Sequence, residues 1–376
     1  MISDAVIVGG GLAGLVNAIL LARNGLKVIV IEKKSYPFHK VCGEYISNEV
    51  LPFFKSIGFS PFSFGAVDVQ RFRLTTLSGK SAETELPLGG FGISRFTLDQ
   101  ALFEKASQCG AEFIPGTTVF DIQFENNQFE LTLSGNRKLK SLLVIGAFGK
   151  RSVLDRSLNR QFFHIKSPFI GIKYHTDWEM PSNLVELHLF GRGYCGLSKV
   201  EENRTNLCYM GLKEDLRRTG SVENLEKEVL SQNPFLREVL VKGKKLFEPL
   251  AINEISFAAR PVVENHILMS GDAAGLVTPL NGNGMAMAIR SANMLSTLIL
   301  RFFQKEISCS EMENMYAKAW QKAFAQRLWV GRQIQKVFFR SNLIESSVPI
   351  LNTFPGLLQM IVKHTHGKPF DLYSAR

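Results

Sequence analysis

An α/β fold, with a parallel sheet and a second, mostly antiparallel sheet interleaved along the chain, is predicted by three observations. A short apolar strand runs into a glycine-rich loop and a helix at the start of the chain. A second strand, tight turn and helix recur from Ile267 onward. Between them lie runs that alternate apolar and polar residues, the pattern of strands half-buried on one face. The 376 residues suffice for one large domain or two intertwined ones, and a hydrophobic content of 45% belongs to a folded chain.

Residues Ala5-Val6-Ile7-Val8 form a continuous apolar run, as a strand covered on both faces does. Gly9-Gly10-Gly11-Leu12-Ala13-Gly14 follows with G-x-G-x-x-G spacing, and a helix is predicted from Leu12 to Asn24, stopped by Gly25. A second strand, Leu26 to Ile31, ends in Glu32 with Lys33 beside it. Gly9 permits the tight turn, Gly11 lets the backbone approach a pyrophosphate, and Gly14 lets the helix lie close on the strand. The pyrophosphate then sits on the unpaired N–H groups at the helix start, around Leu12 and Ala13. Glu32, 18 residues past Gly14, stands where its carboxylate can accept both ribose hydroxyls. The glycine spacing alone is a weak signal. Here strand, helix, strand and acid fall within 32 residues, which is the Rossmann-type arrangement.

The second segment runs Ile267-Leu268-Met269-Ser270-Gly271-Asp272-Ala273-Ala274-Gly275, continues to Gly282-Asn283-Gly284, and opens a long helix rich in Ala and Met. A dinucleotide stretched across the sheet needs a second group to hold its other half, which favours FAD over NAD. Asp272, at a strand end, can accept from ribityl hydroxyls. The helix start after Gly282-Asn283-Gly284 can stabilise negative charge on a reduced flavin ring.

Together these segments resemble the p-hydroxybenzoate hydroxylase-type flavoprotein superfamily, and within it most closely the geranylgeranyl reductase family. The resemblance implies an FAD-binding Gly-Asp pair at Gly271-Asp272. Gly275, where aromatic hydroxylases usually carry His, is the reductase-like residue. Lys40-Val41-Cys42-Gly43-Glu44 falls where such reductases carry a Cys-Gly pair beside the flavin, and Arg95-Phe96-Thr97-Leu98-Asp99 resembles the start of the family's R-x-x-x-D-x-x-L stretch. Arg95 is thereby implied as a cofactor contact, with Asp99 and Leu102 holding the helix. Lys33 and Val119 complete the implied cofactor set. Two positions depart from the pattern. Phe148-Gly149 stands where hydroxylases carry Asp-Gly, which argues against their mode of NADPH use. Of the reductases' Y-x-W-x-F-P segment only Tyr194 matches, Gly196 and Ser198-Lys199 replacing the rest; the W-x-W-x-I-P stretch of flavin halogenases is absent.

The expected organisation is a discontinuous FAD-binding domain (1–64, 95–160 and 258–308), a substrate domain (65–94 and 161–257) and a C-terminal helical region (309–376). Strands are expected at Val67–Leu77, with Val67, Val69, Phe72 and Leu74 inward, at Ile170–His175 and at Leu184–Phe190. Tyr194–Met210 is expected as a hairpin turning at Glu202-Asn203. Cys195 and Cys208, on its two arms, are expected as small core residues. Trp320, Phe324, Leu328 and Trp329 stand among Lys322, Arg327, Arg332, Lys336 and Arg340. That helix either covers the flavin domain with its apolar face, the favoured reading, or lies on an anionic membrane surface.

Lys and Arg exceed Asp and Glu by 44 − 34 = 10, but the basic residues are dispersed and no nucleic-acid motif appears, so nucleic acid is not an expected partner. Five cysteines lack any C-x-x-C spacing, so neither a disulfide framework nor a metal site is expected. No leader-like segment precedes the first strand and no apolar run approaches about 18 residues, so a cytoplasmic location is expected, with membrane association left open. The expected activity is FAD-dependent reduction of carbon–carbon double bonds in an apolar isoprenoid or lipid-like substrate, with NAD(P)H or ferredoxin as electron donor. The first alternative is a monooxygenase acting on an aromatic or polyketide substrate. A non-enzymatic binder of prenylated proteins, like the GDP-dissociation inhibitors, is a third class. Cys42 and Tyr194 are the candidate proton donors. For Cys42 packing or cofactor contact is the favoured role, and Glu44 or Tyr45 can equally supply a proton. His164, His175, His188 and His266 show no ligand spacing.

Overall fold

In the computed structural model, which describes residues 2–276, 282–338 and 341–374, the predicted first unit forms as read. Strand β1 (Ser3–Val8) enters the loop, and helix α1 (Leu12–Ala22) is buried at every position because sheet and helices enclose it. Gly25 ends it with φ 86°, and β2 (Val28–Ile31) returns parallel to β1. The chain then crosses to a second sheet through β3 (Tyr45–Ser47), α2 (Leu51–Ser56), β4 (Val67–Thr75) and β5 (Ser81–Gly92). It comes back with α3 (Arg95–Gln108), β6 (Glu112–Ile114), β7 (Val119–Glu125), β8 (Gln128–Leu133) and β9 (Lys138–Gly146). After α4 (Val153–Ser157) the second sheet is completed by β10 (Phe169–Thr176), β11 (Leu184–Phe190), β12 (Gly193–Lys199) and β13 (Thr205–Leu212). Helices α5 (Lys213–Thr219), α6 (Val222–Glu228) and α7 (Pro234–Lys242) precede its last strand, β14 (Leu250–Asn253). The first sheet closes with β15 (Val263–Glu264) and β16 (Ile267–Met269). The rest is helical: α8 (Gly284–Phe303), α9 (Cys309–Phe338), α10 (Ser341–Thr353) and α11 (Pro355–Thr365).

The first sheet has the order β15-β16-β9-β1-β2-β6, with the β7–β8 hairpin attached at β9. Its neighbours pair parallel from β16 to β6, as buried α/β strands with helical crossovers do. The second has the order β14-β10-β13-β12-β11-β4-β5-β3 and is antiparallel except between β11 and β4. Strand β3, inside the stretch 1–64, is hydrogen-bonded to β5, so the second sheet begins within that stretch. In β4 the inward positions change parity between Val69 and Phe72 because the register shifts between Val69 and Arg71. The β12–β13 hairpin turns through Glu202 and Asn203 with φ of 58° and 57°, a two-residue turn whose twist suits the flanking strands.

The C-terminal helices divide between the two sheets. Helix α9 packs Trp320 and Phe324 into the core of the nucleotide unit, as the favoured reading expected, while Trp329 stays exposed. Helices α10 and α11 instead lie against β5 of the second sheet. Arg340 and the Lys336 side chain fall outside the described residues. The tail then straps α8: Asn293 Nδ2 donates to the Asp371 carbonyl at 2.8 Å, and Tyr373 N–H donates back to Asn293 Oδ1 at 3.1 Å. Among the described residues, no helix is long and apolar enough to cross a membrane.

Candidate functional site

A cavity of about 710 Å³ is lined by residues of both sheets and by α11. Its nucleotide end is built by the first glycine loop. Gly9 has φ 107°, and any side chain there would overlap the Ala147 carbonyl; one at Gly14 would overlap the Gly9 carbonyl, so α1 needs both glycines to begin where it does. At Gly11 an added Cβ would meet only Lys40 Nζ at 3.6 Å and Arg95 Nη2 at 3.7 Å. That cradle lies at the first turn of a helix without a side-chain cap, flanked by two cations. The cations are held in place by Asp99, which is 1% exposed. It accepts from Lys40 at 2.8 Å and from Arg95 Nε and Nη2 at 2.7 and 2.8 Å. Burial alone would raise the Asp99 pKa, but the charges of Arg95 and Lys40 outweigh it and hold the carboxyl below its ordinary value. Two positive groups against one negative, at a helix N-terminus, make an anion site. Leu12, Ala13, Glu32, Lys33 and Val119 line the same end.

Glu32 also fastens the loop, accepting the Gly10 N–H at 2.8 Å and the Lys34 N–H at 3.1 Å; a carboxylate has further lone pairs for ribose hydroxyls. Gly10, which the sequence left without a task, is needed because Tyr36 lies where its Cβ would stand. The Tyr36 hydroxyl donates to the Gly10 carbonyl at 2.5 Å.

The second glycine segment forms an adjoining wall, since a Cβ at Gly271 would lie 2.9 Å from the Ala13 Cβ at the start of α1. Gly271 has φ 65°, and two arginines hold its turn from behind. Arg260 donates to the Asp272 carbonyl at 2.9 Å, and Arg160, fully buried with Asp155, donates to the Ala273 carbonyl at 3.1 Å. Gly275 has a physical reason: a side chain would crowd the Trp320 ring, 2.7 Å from the Cβ position. Val277-Thr278-Pro279-Leu280-Asn281 lie outside the described residues. Gly282, Asn283 and Gly284 line the cavity where α8 begins, also without a side-chain cap. Phe148-Gly149 sits in the loop after β9 and lines the cavity with Lys150 and Arg151.

Cys42 and Gly43 join the two walls. Cys42 Sγ lies 3.5 Å from Met285 Sδ in the first turn of α8. The second sheet grips their carbonyls: Asn206 Nδ2 donates to Gly43 at 2.9 Å and Ser198 Oγ at 3.2 Å. Glu44, next in sequence, has φ 54° and no exposure. Its carboxylate accepts from Lys173 at 2.9 Å, from the Arg95 N–H at 2.7 Å, and lies 2.7 Å from His175 Nε2. Burial pushes its pKa up, but the His175 hydrogen bond and the Lys173 charge prevail and hold it below the ordinary value. His39, whose pKa burial pushes down to about 4, completes a trio with Glu44 and His175 whose donor atoms lie within 4.8 Å of one another. The Lys173 ammonium already supplies the positive charge beside that carboxylate.

Beyond Cys42 the cavity is apolar, with three phenol or imidazole groups set into its walls. Tyr194, on β12, is 5% exposed; its hydroxyl has no partner among the described residues, and burial raises its pKa well above the ordinary value. Tyr45 Oη lies 3.1 Å from His366 Nε2. His366 Nδ1 lies 2.9 Å from the Val362 carbonyl, so that nitrogen carries the proton and Nε2 accepts from Tyr45. Burial lowers the His366 pKa, in keeping with a neutral ring. Cys208 lines this chamber opposite Gly196, whereas Cys195 pairs with Tyr209 and points into the core behind the sheet. The expectation of a packed Cys195 therefore stands, while Cys208 lines the cavity instead: adjacent residues of a strand face opposite ways.

Sequence reasoning singled out Gly9, Gly11, Gly43, Gly271, Gly282, Gly284, Glu32, Arg95, Cys42, Asp272 and Tyr194, which all line this one cavity, and Gly14 and Gly275, which do not. It missed His366 and the Lys173–His175 partnership with Glu44, which only the fold brings together.

Comparison with known proteins agrees with this geometry. A family described as FAD binding domain matches residues 3–314. A probable electron transfer flavoprotein-quinone oxidoreductase of Escherichia coli (strain K12) is 28% identical over 339 residues, covering 79% of this chain and 76% of that protein. Digeranylgeranylglycerophospholipid reductase 2 of Methanopyrus kandleri is 22% identical, covering 89% and 86%. The crystal structure of a geranylgeranyl bacteriochlorophyll reductase-like protein from Thermoplasma acidophilum superposes with a TM-score of 0.81 at 19% identity, over 96% and 95% of the two chains. Flavin-dependent halogenases share the same fold.

Proposed function

The chain belongs to the FAD binding domain family, and from that premise we propose that this flavin-dependent oxidoreductase reduces carbon–carbon double bonds of an apolar isoprenoid or lipid-like substrate. The observation that carries the reading is the chamber beyond Cys42, where Leu74, Leu187, Met210, Ile255, Leu358 and Val362 leave few polar groups to satisfy. The digeranylgeranylglycerophospholipid reductase among the relatives is named for a substrate of this kind. The residues suit FAD, since the open Gly11 cradle between Lys40 and Arg95 can take a pyrophosphate and the uncapped starts of α1 and α8 both line the cavity.

On this reading Lys40, Arg95 and the α1 N-terminus hold the pyrophosphate, Glu32 the adenosine ribose and Asp272 the ribityl chain. The α8 N-terminus and Cys42, which adjoin through Met285, would hold the flavin ring. When bound, reduced FAD would supply the hydride chemistry for one alkene carbon. The protein then has to exclude water and deliver a proton to the neighbouring carbon. Cys42, Tyr194 and Tyr45 all face the cavity with a labile hydrogen. Tyr45 is assigned the acid because its hydroxyl is held in position by His366, whereas the Tyr194 hydroxyl has no partner among the described residues; solvent re-protonates the phenolate that the transfer leaves.

The test is anaerobic. Reduced holoenzyme mixed with a geranylgeranyl lipid should reoxidise and yield product heavier by two hydrogens per bond; running the reduction with NAD(P)H and with reduced ferredoxin identifies the donor. Oxygen-dependent hydroxylation of an aromatic substrate, without alkene reduction, would overturn the reading. That outcome has one observation behind it: Gly196 leaves the chamber open where the reductase pattern places an indole.

A further inference from the structure

We propose that the tip formed by α10 and α11 docks on an anionic bilayer surface, from which the apolar substrate passes along α11 into the cavity; the second half rests on the reductase reading above. Helix α11 is apolar on two sides. Its inner stripe, Leu358 and Val362, is 4% and 7% exposed and walls the chamber. Its outer stripe, Leu357, Met360 and Ile361, is 37%, 50% and 38% exposed, and the spacing i, i+3, i+4 puts these three on one surface. The stripe continues backward through Phe354, 63% exposed, to Ile350, 52% exposed. Folding requires only one apolar face, so the second is surplus to the core.

Two further observations choose the occupant. Ile361 belongs to both sides, exposed outside and lining the cavity inside, so the outer face is continuous with the substrate chamber. Lys363, His364 and Lys368, all exposed, follow directly, on a chain of net charge +10. An apolar stripe edged by cations matches acyl chains under anionic headgroups. A second copy of the chain would bring these cations against their own kind and cover the chamber at Ile361. With no membrane-crossing helix among the described residues, the contact is interfacial.

Holoenzyme is sedimented with vesicles of phosphatidylglycerol and phosphatidylcholine, without substrate, so the result is independent of what the enzyme reduces. Wild type should bind the mixed vesicles, bind pure phosphatidylcholine far less, and release as salt rises. Phe354→Ser with Met360→Ser, two exposed positions outside the cavity, should weaken binding about tenfold while flavin content stays unchanged. Failure of wild type to bind, equal binding to neutral vesicles, or full binding by the variant overturns the proposal. So does a dimer in light scattering that the double variant splits, which would give the face to a second copy.

Discussion

Glu44→Gln removes one negative charge from a place where nothing else can replace it. The carboxylate and Lys173 are both 0% exposed and 2.9 Å apart. The glutamine carbonyl can still accept from Lys173 and from the Arg95 N–H, so the geometry survives and the charge does not. An uncompensated buried ammonium costs about 3–5 kcal/mol, a large share of a domain's stability. Lys173→Met alone should cost a similar amount, by stranding the carboxylate. The double variant, neutral on both sides, should recover most of it, giving a coupling of about 2 kcal/mol or more in urea denaturation. Acidity supplies an independent check. The folded pKa of Glu44 is lowered, so its contribution is complete above the ordinary carboxylate range and vanishes as pH falls through the folded value. The gap between wild type and Glu44→Gln should therefore close on acidification. A loss below about 1 kcal/mol, or a gap that ignores pH, refutes the assignment of Glu44 as the counter-charge of Lys173.

Two other substitutions separate cofactor seating from chemistry. Gly14→Ala forces α1 away from the Gly9 carbonyl; an overpacking strain of about 1–3 kcal/mol predicts FAD affinity weaker by roughly tenfold to a hundredfold, measured by flavin titration of the apoprotein. Tyr45→Phe keeps the ring and loses the hydroxyl that meets His366. Flavin content and flavin reduction should persist while product formation falls by about a hundredfold, and unchanged single-turnover product formation would remove Tyr45 as the acid.

What could be read from the sequence was what is local. The unit from Ser3 to Glu32 encodes its strand, loop and helix in neighbouring residues, and a Cβ at Gly9 or Gly14 has nowhere to go, so the motif states its own geometry. Asp99 was legible as a helix-holding residue, though its clamp on Lys40, 59 positions away, was not. Tyr45 and His366 are separated by 321 positions and show no shared spacing, so only the return of α11 over the second sheet makes them neighbours. Glu44 was noticed for its acidity, but its role depends on Lys173 and His175, alternate residues of β10 whose sequence pattern reads as an ordinary strand and does not point to Glu44. The bulge near Gln70 defeats simple alternation for the same reason: the register of β4 is set by β5, not by β4 itself.

The tail binds together parts that the chain otherwise keeps apart. Asn283, at the first turn of α8, donates to the Thr365 carbonyl at 3.2 Å, one residue before His366 and at the end of the helix that walls the chamber. A guest long enough to displace α11 would therefore pull on the start of α8, whose Met285 lies beside Cys42. The flavin's colour would then register the guest's arrival before any bond is made or broken, and the resting site would be tuned by whatever lies in the chamber.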